Sequence, residues 1–182
     1  ITDCSGNSTT VTQTINVSDI TAPTASNPET INVACYGSIP AANISVVTDE
    51  ADNCDAAPVV TLLTDIPAAP VCNGGPITVS RVYRITDCSG NSTTVTQTIN
   101  VADITAPIIS NIPANVSVSC ASEVPAPNTG AVVASDNCSG ILTVTSNDVI
   151  IPGSCANRFT LNRTYTVSDC SGNSSSAVQV IT

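Results

Sequence analysis

Between positions 92 and 101 the side chains at 95, 99 and 101 are apolar, while those at 94, 96, 98 and 100 are Thr or Asn. Only Gln97 interrupts the apolar side, and a period of two of this kind predicts a half-buried β-strand. Residues 30–34, 44–48, 59–64 and 77–86 read in the same way. The series returns at 116–119, 131–134, 141–145, 160–168 and 174–181. No apolar period of 3.6 is sustained anywhere, and turn residues separate the runs. The pattern predicts an all-β chain of tandem immunoglobulin-like β-sandwich repeats.

The pentapeptide Asp-Cys-Ser-Gly-Asn begins at Asp3, Asp87 and Asp169, and residues 1–23 recur at 85–107 with one difference, Ser18 against Ala102. Three units follow: 1–23, the last strands and linker of a preceding repeat; 24–107, a complete repeat; and 108–182, a second. The chain is thereby expected to be a window on a longer array. Each pentapeptide lies between two long strands, where Gly90 and Asn91 tolerate positive φ, and predicts a tight hairpin turn. The linkers 17–23 and 101–107 contain proline and no glycine, which makes the joints semi-rigid and the array extended, about 35–40 Å per repeat.

Fourteen acids stand against four arginines, with no lysine or histidine, for a formal charge of −10. That balance excludes nucleic acid as a partner, because phosphate binding needs clustered cations. No apolar run reaches membrane-spanning length, so no direct insertion is expected of this segment. Without histidine, Ser5, Ser89 and Ser171 have no ordinary base to activate them, and the chain reads as non-enzymatic.

With few aromatics, each core of Val, Ile, Leu and Ala needs reinforcement, which disulfides supply in small extracellular domains. Each full repeat has four cysteines: Cys35, Cys54, Cys72 and Cys88, then Cys120, Cys138, Cys155 and Cys170. Cys4 is the fourth cysteine of the preceding unit. Their wide spacing suits disulfides rather than metal. Following the chain through a sandwich puts the first and third cysteines at one end and the second and fourth at the other. That path predicts Cys35–Cys72, Cys54–Cys88, Cys120–Cys155 and Cys138–Cys170.

The same path gathers acids at the joints. Asp19 should approach Asp49, Glu50, Asp52, Asp55 and Asp87, and Asp103 should approach Asp136, Asn137 and Asp169. Carboxylates and loop oxygens in such a set suit calcium, which would stiffen the joint; the competing reading makes them turn formers. Arg81 with Tyr83, and Arg163 with Tyr165, share a strand face and read as packing residues, Tyr against the sheet and the Arg stem over apolar surface. Eight Asn-x-Ser/Thr sequons, among them Asn91 and Asn173, fall largely in turns and decide nothing.

The run Arg-x-Tyr-x-x-x-Asp-Cys-Ser-Gly-Asn, preceded by Asp-Asn-Cys and followed by Asp-Ile-Thr-Ala-Pro, resembles the HYR-like immunoglobulin-fold repeats of bacterial surface proteins. Cysteine-bearing arrays of this kind resemble those of giant SprB-type adhesins of gliding Bacteroidota, exported by type IX secretion. The resemblance implies an extracellular, cell-surface stalk in an adhesin filament that serves adhesion and gliding motility. Its partners would be neighbouring repeats and, beyond them, surface glycans or a motility apparatus. The alternatives are a glycan- or protein-binding module and an accessory array of a secreted enzyme.

Overall fold

The computed structural model describes residues 1–66, 68–138, 140–155 and 158–182. In the first repeat, β1 (Ile31–Val33), β2 (Val59–Thr64), β3 (Ile77–Thr86) and β4 (Ser92–Val101) form one sheet in the order β1-β4-β3-β2. β1 runs parallel to β4, and the other pairs are antiparallel. In the second repeat, β5 (Ile108–Asn111) pairs with β6 (Val133–Ser135) in one sheet. β7 (Thr143–Pro152), β8 (Phe159–Ser168) and β9 (Ser174–Ile181) form the other. Val116 bridges Ile181 in parallel, where the first repeat has β1, and Thr24 bridges Ala51, where the second has β5 and β6. The molecule is a tandem of immunoglobulin-like β-sandwich repeats.

The two-residue period sets the core. Tyr83, Ile85, Val95 and Ile99 of the first repeat, and Tyr165, Val167 and Ile181 of the second, are almost wholly buried on one sheet face. Burying an aliphatic side chain of this size is worth about 1.5–3 kcal/mol, so these few residues dominate the stability of each repeat. Polar residues share that face with part of their hydrogen bonding met, although Gln97 Oε1 and the Tyr83 hydroxyl are buried without a partner. Gln97 donates to the Glu29 carbonyl at 3.2 Å, and Gln179 donates to the Ala114 carbonyl at 2.7 Å.

Several expected elements differ. Residues 44–48 form a 3-10 turn, Ile44–Val46, because the Asn43 side chain accepts the Ser45 N–H at 3.0 Å and offers the backbone an alternative to a strand. The run at 116–119 shrinks to one bridge, and that at 141–145 lengthens to ten residues along β8. Asn91 does not take positive φ; among the described residues only glycines do, Gly90 at +93°.

Candidate functional site

The joint between the repeats is built by the linker that leaves β4. Its Ala102 N–H donates to the Val33 carbonyl at 3.0 Å, and its Asp103 N–H donates to the Gly74 carbonyl at 2.7 Å. The first repeat thus holds the linker on its own end. The second holds it from the other side, since the Asn173 amide donates to the Asp103 carbonyl at 3.1 Å and the Asn137 amide to its Oδ1 at 3.2 Å. A Cβ at Gly74 would collide with Ser171 Oγ and stand 2.8 Å from the Asp103 Cβ. Glycine there lets the two repeats close.

Across this contact run both disulfides, Cys35–Cys138 and Cys72–Cys170. The four pairs expected from the sequence are therefore corrected. Cys35 is not joined to Cys72, nor Cys138 to Cys170, and Cys54, Cys88, Cys120 and Cys155 carry no disulfide, as is also true of Cys4. The assignment of cysteines to ends was sound: Cys72 precedes the ten-residue β3 and Cys88 follows it. The error was to treat each repeat as closed. A short, held linker brings the next repeat so near that Cα atoms lie 5.3 and 5.6 Å apart across the joint, within ordinary disulfide reach.

The pentapeptide turn recurs in one geometry at all three places. In each, Asp Oδ1 accepts the backbone N–H of the Ser and the Asn at 2.8–2.9 Å, and Oδ2 accepts the Asn side-chain amide at 2.8 Å. Burial works against ionisation of Asp87 and Asp169, but these donors outweigh it and hold both carboxyls below their ordinary value.

The acids expected at the joints divide. Asp19, Asp52 and Asp87 each bring a carboxylate oxygen within 4.8 Å of the others, and Asp103 and Asp136 meet in the same way. Cys138, beside the latter pair, is disulfide-bonded and has no thiolate to offer. Asp49 lies apart, accepting the Ser26 N–H at 3.0 Å; Asp87 and Asp169 are engaged alike by their turns, and of these two only Asp87 belongs to such a group. The same oxygens are left over in both repeats: Asp19 Oδ2 and Asp52 Oδ1, Asp103 Oδ2 and Asp136 Oδ1, all buried without a hydrogen-bond donor. Their partner oxygens are occupied alike, by the N–H of Thr21 or Thr105 and of Cys54 or Cys138.

Arg81 and Arg163 are buried structural residues, with a partner that sequence reasoning missed. Arg81 Nε donates to Asp65 at 2.7 Å, and Arg163 grips Asp148 through two nitrogens at 2.8 Å. Each also donates to a proline carbonyl, of Pro40 or Pro125. The Arg163 guanidinium holds the Asp148 carboxyl below its ordinary value. Asp65 and Asp148 lie 16 and 15 residues before their arginines, a recurring offset that the sequence did carry.

A family model described as an HYR-like domain with four cysteines matches residues 23–101 and again 108–182. No curated protein matches the chain.

Proposed function

The chain belongs to the family of HYR-like domains with four cysteines, a non-enzymatic repeat module often found in adhesion proteins, and from that premise we propose that it is a stalk segment of a long extracellular adhesin filament. The filament would be of the SprB type, displayed on the cell surface of a gliding bacterium, exported by type IX secretion and loaded when the cell adheres and glides. One observation carries this reading: both disulfides cross from one repeat to the next, so a pulling force passes through covalent bonds at the joint and not through the linker alone. A module built only to display a binding loop has no need of a stapled joint.

Pulling single molecules by their ends, with and without reductant, tests it. The Cys35–Cys138 bond spans 103 residues, which at ~3.6 Å each hide about 370 Å of contour. Reductant should release that length; equal contour lengths in both conditions would sink the stapled stalk.

Calcium at each joint belongs to the same reading. Two facing carboxylates with buried, donorless oxygens repel one another, and a hard divalent cation with oxygens at ~2.4 Å removes that cost. Asp19, Asp52 and Asp87 would hold one ion, and Asp103 with Asp136 the other. Millimolar calcium should raise the melting temperature, and Asp103→Asn with Asp19→Asn should abolish the rise. An unchanged midpoint in the unsubstituted chain disposes of the metal.

A further inference from the structure

The joint inside this chain states a pairing rule. The first cysteine of one repeat bonds the second cysteine of the next (Cys35 to Cys138), and the third bonds the fourth (Cys72 to Cys170). The leftover cysteines are the two halves of that rule. Cys54 and Cys88, second and fourth, stand at the leading end of the first repeat; Cys120 and Cys155, first and third, stand at the trailing end of the second. All four are exposed.

The leading half, and the Cys120 side of the trailing half, are shaped as in the closed joint; the Cys155 side differs in sequence, with Cys155-Ala156-Asn157-Arg158 where the first repeat has Cys72-Asn73-Gly74-Gly75. At the leading end, the Asn53 amide donates to Cys54 Sγ at 3.0 Å and the Cys54 N–H to Asp52 at 2.8 Å. The bonded Cys138 has the same pair, from Asn137 at 3.3 Å and to Asp136 at 3.0 Å. The linker is seated too, with the Asn91 amide on the Asp19 carbonyl as the Asn173 amide is on that of Asp103. At the trailing end, Cys120 precedes a 3-10 turn at φ −138°, ψ 149°, and Cys35 precedes its own at φ −117°, ψ 146°. There Cys120 and Arg158 line one cavity of about 460 Å³, and the Glu123 carboxylate accepts the Cys120 N–H at 3.3 Å.

We propose that these ends are the two faces of a repeating, doubly disulfide-bonded head-to-tail interface, and that the partner each fits is another repeat of this kind. A second copy of the chain would dock its leading end on the trailing end of the first, forming Cys120–Cys54 and Cys155–Cys88. Each bond forms when two thiols give up two protons and two electrons to a disulfide oxidant, whose S–S bond is reduced to two thiols. The inference deepens the stalk reading but does not depend on adhesion, and it concerns cysteines that the pulling experiment leaves untouched.

The test uses the full chain carrying Cys4→Ser, oxidised with oxidised glutathione as the small disulfide, then run on non-reducing gels and mapped as cross-linked peptides. A concentration-dependent ladder is expected, with Cys120–Cys54 and Cys155–Cys88 peptides at least about tenfold more abundant than other intermolecular pairs. Two blocked chains sharpen it, one with C54S and C88S and the other with C120S and C155S. Neither should polymerise alone, and their mixture should stop at the dimer. Mapping of Cys35–Cys138 and Cys72–Cys170 in each shows that the fold is intact. Cys54 bonded to Cys88 within one chain, chains that remain monomeric under the oxidant, or scrambled intermolecular pairs would each overturn the proposal.

Discussion

Residues 1–17 and 85–101 have the same sequence and different structures. In the second copy, Ile85, Val95, Ile99 and Val101 are at most 3% exposed; in the first, their counterparts Ile1, Val11, Ile15 and Val17 are at least 74% exposed. Ser92–Val101 is a ten-residue strand, and residues 8–17 contain no strand beyond the single bridge from Thr2 to Ser8. Yet the turn is the same in both: Gly6 sits at φ +85° and Gly90 at +93°, with matching Asp and Asn contacts. The comparison separates two kinds of information. The turn is written locally, in the Asp carboxylate and the Gly, whereas the strand pattern is a request that only a neighbouring sheet can answer.

The widest gap should appear in hydrogen exchange. Amides of β4 paired with β3 should exchange at least ~1000-fold more slowly than those of residues 8–17, which have no ladder to protect them. Comparable protection in the two segments would break the contrast, since it would mean that residues 8–17 find a partner of their own.

Matched substitutions come next. Ile99→Ala removes a side chain with no exposure and should cost about 2–5 kcal/mol in denaturant unfolding. Ile15→Ala makes the same chemical change at an exposed site and should fall within about 0.5 kcal/mol of the parent chain. A measurable loss at Ile15 would show that the exposed copy does structural work.

The same division explains what could be read in advance. The long hairpin strands, the turn and the Tyr burial were legible because period-two runs and an Asp-Cys-Ser-Gly-Asn turn need only local rules. The ends to which Cys54 and Cys72 belong were legible as well, because strand length fixes them. Their partners were not. Which sulfur faces which depends on the linker at Ala102 and Asp103 seating on Val33 and Gly74, a contact between loops far apart in sequence. Asp65 and Asp148 were missed for a related reason: each meets its arginine across a hairpin whose register is set by the whole sheet. The carboxylate cluster was partly legible. Proximity to the linker was right for Asp52, Asp87 and Asp136, but not for Asp49, which a local hydrogen bond holds apart, nor for Asp169, which joins no such group although its turn bonds match those of Asp87.

Acid separates the two turns by their consequences. The Asn7 side-chain amide and backbone hold the Asp3 carboxyl below its ordinary value; at Asp87, burial opposes ionisation, and the Asn91 and backbone donors overcome it. NMR titration should find both below the usual carboxylate range. A carboxyl depressed in the folded state contributes stability that is present above its unfolded value near ~3.9 and is lost as pH falls through the folded value. Of Asp3 and Asp87, only Asp87 closes a turn within a packed sheet, as Asp169 does in the second repeat. Lowering the pH from 7 to 3 should therefore reduce the melting temperature, Asp87→Asn should make that slope shallower while Asp148 and Asp169 keep the rest of it, and Asp3→Asn should leave it unchanged. Equal slopes for Asp87→Asn and the parent chain would mean that the turn carboxylate does not couple to folding.

Smallest is the effect of the turn glycine itself. Neither Gly6 nor Gly90 has an atom within 4 Å of where a Cβ would stand, so Ala at either site meets open space and pays only for a left-handed backbone. That strain is about 1–2 kcal/mol. In Gly90→Ala the hairpin of β3 and β4 must bear it or shift register, and the melting temperature should fall by about 4–8 °C per kcal/mol in a domain of this size. In Gly6→Ala the turn opens without a sheet to disturb, and the midpoint should stay where it is. The pair therefore measures how far a locally written turn acts on the packed strands: a fall at Gly90 alone makes the turn a structural part of the sandwich, and no fall at either site would make it a loop that the sheet merely tolerates.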